Sequence, residues 1–472
     1  MPLQVTNTLT GKKEAFAPLN PPTVRMYVCG LTPYDETHIG HARAYVAYDV
    51  MRRYLEHKGF DVQHIQNITD VDDRIIARAH ERNVPPLEFA AKVHKGAEDA
   101  WARLRIKRPK SYPKVSEHIP GIVRMTQALI EKGHAYVGND EHGRSVYFSV
   151  QSDPDYGKLS HLNRDELLQG VRKDVAEGKR HPADFALWKA SKPGEGVAWD
   201  SPWGKGRPGW HIECSVMAKE LLGDTLDIHG GGWDLVFPHH ENELAQSESA
   251  NGVEPFVRYW LHVGFLTVEG EKMSKSLGNF TTLSAALGEW PPEALRLWFA
   301  GTHYRSPIDY SLAALGQAAK TVERFVNMLA NAKHARPNAR RERKLQDDEL
   351  LALVEKRRHE FEAAMDDDFN TPKALAVLFD LSSDVNKYVG DPHGPTLDKA
   401  LETFHKLESI FDVLPDAPEA AEAAPLLDLL LEAREMARAK KDFAASDRIR
   451  NRLLELGYVI EDAAGGPRWR RK

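Results

Sequence analysis

Val24, Met26 and Val28 alternate with Arg25 and Tyr27, and this period of two predicts a strand ending near Cys29 and Gly30. From Gly40 the period changes. Val46, Val50 and Tyr54 recur every four residues beside Ala47, Met51 and Leu55, which predicts a helix. It stops near Gly59, the residue type favoured just past a helix end. Phe60–Ile68 predicts a second strand, which runs into the polar cluster Thr69, Asp70, Asp72 and Asp73. Strand, helix and strand at this length form the pattern of a parallel βαβ unit, whose ligands bind beyond the strand ends. Helical spacing then continues to about Ile106 and breaks at Pro109 and Pro113.

Between 109 and 200 the texture changes. A helix is predicted over Ile122–Lys132, then a hairpin from His134–Val137 and Ser145–Ser149, then a run rich in charge, glycine and proline. This segment reads as an insertion, because βα patterning resumes beyond it. Ser215–Leu222 is helical, Leu226–His229 is a strand ending in a loop at Gly230, Gly231 and Gly232, and a helix start follows Pro238. Tyr259–Phe265 is a further strand. Beyond Ser311 helical spacing dominates, over Ala318–Ala332, Asp347–Ala364, Thr371–Val389 and Leu397–Phe411. Leu414–Pro425 has linker composition, and two more helices are predicted at Leu426–Lys440 and Ala444–Leu456.

Composition adds bounds. A chain of 472 residues with 42% hydrophobic and 28% charged residues is expected to form about three soluble domains. The net charge of −6 excludes a uniformly basic nucleic-acid binder, so any such surface is local. One candidate is the C-terminus: from Leu431 onward eleven Lys or Arg face seven Asp or Glu, and the chain closes with Arg468, Trp469, Arg470, Arg471 and Lys472. Such a tail can grip phosphates and stack a base, or be an ordinary solvated terminus. Two cysteines exclude a disulfide framework and suit a reducing compartment. No signal segment and no membrane-length apolar run is visible, so the expectation is a cytoplasmic protein with no membrane partner.

Three groups of residues carry candidate chemistry. His38, Gly40 and His41 lie where a strand hands over to a helix N-terminus, a place that favours anions. Gly40 permits close approach of a ligand, and the two imidazoles can donate to phosphate oxygens. Lys272 and Lys275, with Ser274, Ser276 and Gly278, can close over a polyphosphate or form a basic surface loop. Cys29, Cys214, His239 and Glu243 make a plausible zinc set, with the His/Glu pair four apart on one helical face. The cysteines are far too distant for a zinc finger, and spacing alone favours two buried free thiols and a helix-start pair.

Taken together, His38–His41 and Lys272–Ser276 resemble the two signatures of class I aminoacyl-tRNA synthetases. The stretches around Cys29, Asn67–Asp73, Gly209–Cys214, Asp227–Asp234, Phe237–Glu243 and Met365–Pro372 are similar to the cysteinyl-tRNA synthetase family, over nearly the whole chain. The resemblance implies an α/β chain with a Rossmann-type parallel-sheet catalytic domain in two parts, 1–108 and 201–310. A connective insertion at 109–200 separates them; a stem-contact and helical bundle at 311–413 and an anticodon-binding domain at 426–472 follow. It implies one zinc ion on Cys29, Cys214, His239 and Glu243, where a substrate thiol binds and serine's hydroxyl is a poor ligand. ATP, with Mg2+, would be held by His38, Gly40, His41, Gly230, Gly231, Gly232, Lys272 and Lys275, with catalysis by both histidines and both lysines. Thr69 and Trp210 would line the amino-acid pocket, and Arg438, Phe443 and Asp447 would face the anticodon. Phe443 stands where some members carry tryptophan. The implied partners are cysteine tRNA, L-cysteine and ATP, and the implied state is a monomer.

Other readings keep some of these features. A ligase passing activated cysteine to an amino-sugar inositol would retain the metal donors and both nucleotide motifs. The long C-terminus argues against it, since a small acceptor needs no anticodon domain. A non-catalytic RNA-binding relative is disfavoured by intact His38, His41, Lys272 and Lys275. A zinc hydrolase on His239, His240 and Glu243 would need a water position that four protein ligands fill.

Overall fold

The computed structural model describes residues 2–162, 178–268, 270–272, 281–415, 420–463 and 466–471. Strand β1 (Gln4–Asn7) pairs antiparallel with β2 (Lys12–Ala15), and the chain then enters β3 (Thr23–Val28). Val24, Met26, Tyr27 and Val28 are all buried, so the end of β3 is covered on both faces, as a parallel strand requires. Helix α1 (Ile39–His57) crosses over to β4 (Asp61–Gln66), which lies parallel to β3. Gly59 follows the cap with φ +90°, a backbone that glycine takes without strain.

Helices α2 (Asp73–Glu81), α3 (Pro86–Arg103) and α4 (Ile119–Glu131) lead into a separate antiparallel sheet. Its order is β5 (Ala135–Asp140), β6 (Gly143–Phe148), β7 (Phe185–Ala190) and β8 (Gly206–Pro208). Sequence spacing predicts only the first hairpin. Phe185, Leu187, Trp188 and Ala190 of β7 are all buried and do not alternate cleanly, and β8 is too short to show a period.

From β8 the chain enters α5 (Trp210–Leu222) and returns to the parallel sheet as β9 (Leu226–Gly232), α6 (Glu241–Asn251) and β10 (Val257–Val263). The sheet order is β10-β9-β3-β4, all parallel. The chain leaves β3 on one side and comes back on the other at β9, so their C-terminal ends form the switch point where ligands bind. The three glycines expected as a loop instead complete β9, paired with Leu261, His262 and Val263. The reason is steric: a Cβ at Gly230 would run into the hydroxyl of buried Tyr48 on α1. That hydroxyl donates to the carbonyls of Gly231 at 2.9 Å and Leu261 at 2.7 Å.

A small sheet follows from β11 (Leu266–Val268), β12 (Glu271–Lys272) and, after α7 (Leu283–Glu289) and α8 (Pro292–Ala300), β13 (Ile308–Asp309). The four predicted bundle helices are present as α9 (Leu312–Ala335), α10 (Leu345–Met365), α11 (Thr371–Tyr388) and α12 (Gly394–Phe411). Phe325 packs edge-on against Phe404, and Phe361 against Phe411, in their shared core. No described helix is long and apolar enough to cross a membrane.

A buried ion pair ties α1 to the bundle. The Arg296 guanidinium on α8 donates to Asp49 at 2.7 Å, to Phe411 O at 2.7 Å and to Leu104 O at 3.1 Å. Arg296→Met leaves the buried Asp49 with Arg53 as its remaining charged partner, and is expected to cost about 3 kcal/mol. Urea unfolding followed by tryptophan fluorescence measures this, since nine of the ten tryptophans precede residue 414. A loss below about 1 kcal/mol would show that Arg53 alone supports Asp49.

Residues Leu414–Lys472 form a second compact unit. It contains α13 (Ala420–Ala439), α14 (Phe443–Glu455) and an antiparallel hairpin of β14 (Tyr458–Ala463) and β15 (Gly466–Arg471). Helix α13 begins at Ala420 inside the stretch expected as linker, because its alanines and glutamate are strong helix formers. The tail read as basic or solvated is the second hairpin strand. Arg468 and Arg470 pair with Glu461 at 2.9 and 3.0 Å, and the Trp469 indole donates to Asp428 at 2.9 Å.

Candidate active site

The C-terminal ends of β3 and β9 open into a cavity of about 310 Å³. At one end stand four buried donors. Cys29 follows β3, Cys214 sits in the second turn of α5, and His239, in the helical turn just before α6, lies four residues before Glu243 in the first turn of α6. The two sulfurs are 3.8 Å apart, and Cys29 Sγ is 3.6 Å from Glu243 Oε1. Ligands of a tetrahedral zinc ion would stand about 3.8 Å apart for two sulfurs and about 3.6 Å for sulfur and oxygen. His239 Nε2 lies 2.9 Å from Glu243 Oε1. The donor set therefore fits a small tetrahedral cation with a preference for sulfur.

Four further imidazoles, absent from the sequence-predicted ligand set, surround these donors. His229 donates from Nδ1 to Tyr27 O at 3.1 Å and faces Glu243 Oε2 from Nε2 at 2.9 Å. His211 Nδ1 lies 3.0 Å from His239 Nδ1, while His240 spans Cys29 Sγ at 3.2 Å and His262 Nε2 at 2.7 Å. Such partners fix the orientation of ligating side chains. Cys29, His229, His240 and Glu243 form a second compact donor group, but with a single sulfur.

Charge at this end is strongly polarised. Burial pushes the Cys214 thiol up, but hydrogen bonds from Cys29 and His239 outweigh it and bring the thiol to about 6. Burial and the bond to Cys214 keep Cys29 raised. Glu243 and Cys214 lift His239 to about 10 against its burial, and His229 and His239 bring Glu243 down to about 2 against its own.

Thr69 and Trp210 line the cavity beside Cys29, Cys214 and His239. The Thr69 hydroxyl accepts from Asn67 at 3.2 Å, and the Trp210 ring stacks on His239 with centroids 4.3 Å apart. The same cavity reaches His38, Gly40 and His41 at the α1 N-terminus. His38 is the N-cap: its Nδ1 accepts from Gly40 N at 3.1 Å and His41 N at 3.3 Å, which places the proton of the neutral ring on Nε2. His41 Nδ1 accepts from His38 N at 3.5 Å, so its Nε2 is likewise a donor. The rings stack with centroids 3.6 Å apart. Burial, then His38 and Arg74, hold His41 well below the usual imidazole range, which favours the neutral ring. The loop is tied to residues following the lysine motif: Ile39 N donates to Thr281 O at 3.3 Å and Leu283 N to Thr37 O at 2.9 Å.

Gly231 and Gly232 line the cavity; Gly230 does not, and serves the packing of Tyr48 instead. Lys272 belongs to β12, and Lys275 lies outside the described residues. Sequence reasoning missed the cavity residues Arg74, whose guanidinium lies 4.4 Å over the Tyr34 ring, and Asp234. Arg74 directly follows the flagged acidic cluster, the one signal that pointed toward it. In the second unit, Arg438 near the end of α13 pairs with Asp462 at 2.9 Å. Phe443 opens α14 with 61% of its surface exposed, and Asp447 follows one turn later on the same side.

Comparison with known proteins agrees with this arrangement. The profile of the tRNA synthetases class I (C) catalytic domain matches residues 15–320, that of the DALR domain 360–414, and that of the cysteinyl-tRNA ligase anticodon binding domain 414–470. The chain is 47% identical to the cysteine–tRNA ligase of Thermococcus onnurineus, covering 100% of this chain and 99% of that one. It is 48% identical to the cysteine–tRNA ligase of Heliobacterium modesticaldum, covering all of both. Among solved structures, Mycobacterium tuberculosis methionyl-tRNA synthetase with methionyl-adenylate shares the fold at TM-score 0.60 and 18% identity, over 87% of this chain and 94% of that one. A leucyl synthetase from Agrobacterium radiobacter, in a ternary complex with tRNA, shares it at TM-score 0.61 and 12% identity, over 84% of each chain. With these catalytic and anticodon-binding segments in order and relatives aligned end to end, the chain belongs to the cysteinyl-tRNA synthetase family of class I aminoacyl-tRNA synthetases.

Proposed function

We propose that the chain is a cysteine–tRNA ligase. The carboxylate of L-cysteine attacks the α-phosphate of ATP, pyrophosphate leaves, and a hydroxyl of the tRNA's 3′-terminal ribose then displaces AMP. One observation carries the reading: a single cavity joins the sulfur-rich donor group to the paired imidazoles of α1. Cys29, Cys214, His239 and Glu243 would hold zinc, which supplies a soft centre with affinity for a thiol that a serine hydroxyl lacks. Thr69 and Trp210 shape the amino-acid end. His38 and His41 would donate from Nε2 to the phosphate oxygens of Mg2+-bound ATP, joined by Lys272 and Lys275, while Gly40, Gly231 and Gly232 let the nucleotide lie against backbone.

The two-part catalytic domain would act on the acceptor end, with the insertion and the bundle contacting the tRNA. Arg438, Phe443 and Asp447 would read the anticodon, Phe443 by stacking a base. A monomer is proposed, and two cysteines without a disulfide suit the cytoplasm. Cysteine-dependent ATP–pyrophosphate exchange tests the proposal, with serine as control. Exchange with cysteine and at least about a hundredfold less with serine is expected; equal rates, or none from zinc-loaded protein, would overturn it.

A further inference from the structure

Arg43 lies two residues past His41 on α1, and its guanidinium is buried. Among the described residues it makes no ion pair, an expensive state for a buried cation. Burial lowers it only to about 10, so it stays charged at neutral pH. Its acceptors are backbone carbonyls alone. Nε donates to Gly264 O at 3.2 Å, and Nη2 to His303 O at 3.4 Å and to Ser306 O.

These carbonyls come from two segments that pack directly on each other. Gly264 N donates to Tyr304 O at 2.8 Å, and a Cβ at Gly264 would meet the Ser306 carbonyl carbon at 2.6 Å. Gly264 lines the cavity, as do Phe265 and Leu266 after it. Residues beyond Ser306 form β13, which pairs with β11 beside the strand that carries Lys272. One planar fork thus joins the helix that presents His38 and His41 to the cavity wall at Gly264 and to the root of the small sheet. Without it, nothing described on this turn of α1 would link those three pieces by side-chain hydrogen bonds.

We propose that Arg43 is a positioning residue for the nucleotide half of the reaction, fixing the imidazole pair of α1 relative to the Gly264 wall. The inference rests on the function proposed above. Arg43→Lys keeps the charge, but a single ammonium cannot reproduce the planar fork to three carbonyls. Gly264→Ala pushes the same seam apart from the other side. In cysteine-dependent exchange, both variants are expected to raise KM for ATP roughly tenfold, with KM for cysteine and bound zinc unchanged within about twofold. A merely structural role would lower the active fraction, reducing kcat and leaving both KM values alone. That result, or equal rises in both KM values, would overturn the proposal. If the wild type shows no cysteine-dependent exchange, the functional reading fails separately, and titration calorimetry with ATP decides Arg43. Weaker ATP binding by Arg43→Lys would support its role, and equal affinity would overturn it.

Discussion

Cys214→Ser is expected to release bound zinc and to lower cysteine-dependent exchange by about 10³-fold or more, with the fold intact. The sulfur of Cys214 stands 3.8 Å from that of Cys29, the separation that two thiolates on one tetrahedral ion require. Its thiol is already poised for this, since Cys29 and His239 bring it to about 6 despite burial. A serine hydroxyl stays protonated and is a hard, weak ligand, so one of two soft donors disappears. The volumes are similar and the neighbouring Ser215 and Gln246 already form a polar seam at 2.8 Å, so the helix should tolerate the change. Metal analysis and exchange assays, run on the same preparation, read the two consequences separately. Full zinc content with lost exchange would assign Cys214 a role other than ligation. Retained exchange without zinc would move thiol selectivity to Thr69 and Trp210.

The nucleotide end of this site was legible in the chain because the hydrophobic period changes from two to four at Gly40, and the strand-to-helix handover falls on His38 and His41. The metal end was not legible from spacing. Cys29 and Cys214 are 185 residues apart and meet only because β9 inserts beside β3, a long-range pairing that local periodicity does not contain. Family resemblance supplied that link. Of the supporting histidines, His240 entered only the hydrolase alternative, and His229 and His262 escaped both routes. His229 and His262 sit in parallel strands buried on both faces, where a polar residue breaks no alternation and gives no signal. The glycines of β9 misled for a related reason. Glycine usually marks a turn, and only close tertiary approaches explain three of them inside a strand: Tyr48 from α1 at Gly230, Leu235 and His240 at Gly231, and Asp234 at Gly232.

His38 has one duty in the structure and a second in the proposed function, and a pair of substitutions should separate them. As N-cap it accepts from Gly40 N and His41 N through Nδ1, and it lines the cavity; as the proposed donor it would offer Nε2–H to phosphate. Asparagine is among the best N-cap residues, but its short amide cannot reach where Nε2 stands. His38→Asn is therefore expected to lower kcat for exchange by about 10²–10³-fold while leaving the urea midpoint unchanged. His38→Ala removes both functions, so it should lose the same rate and about 1 kcal/mol of stability as well. A hydrogen bond that strengthens as charge builds on phosphate lowers kcat, whereas uniform binding would raise KM instead. Near-wild-type exchange by His38→Asn would mean that His38 serves only to begin the helix. The transition-state charge would then rest on His41, which burial keeps neutral, and on the lysines.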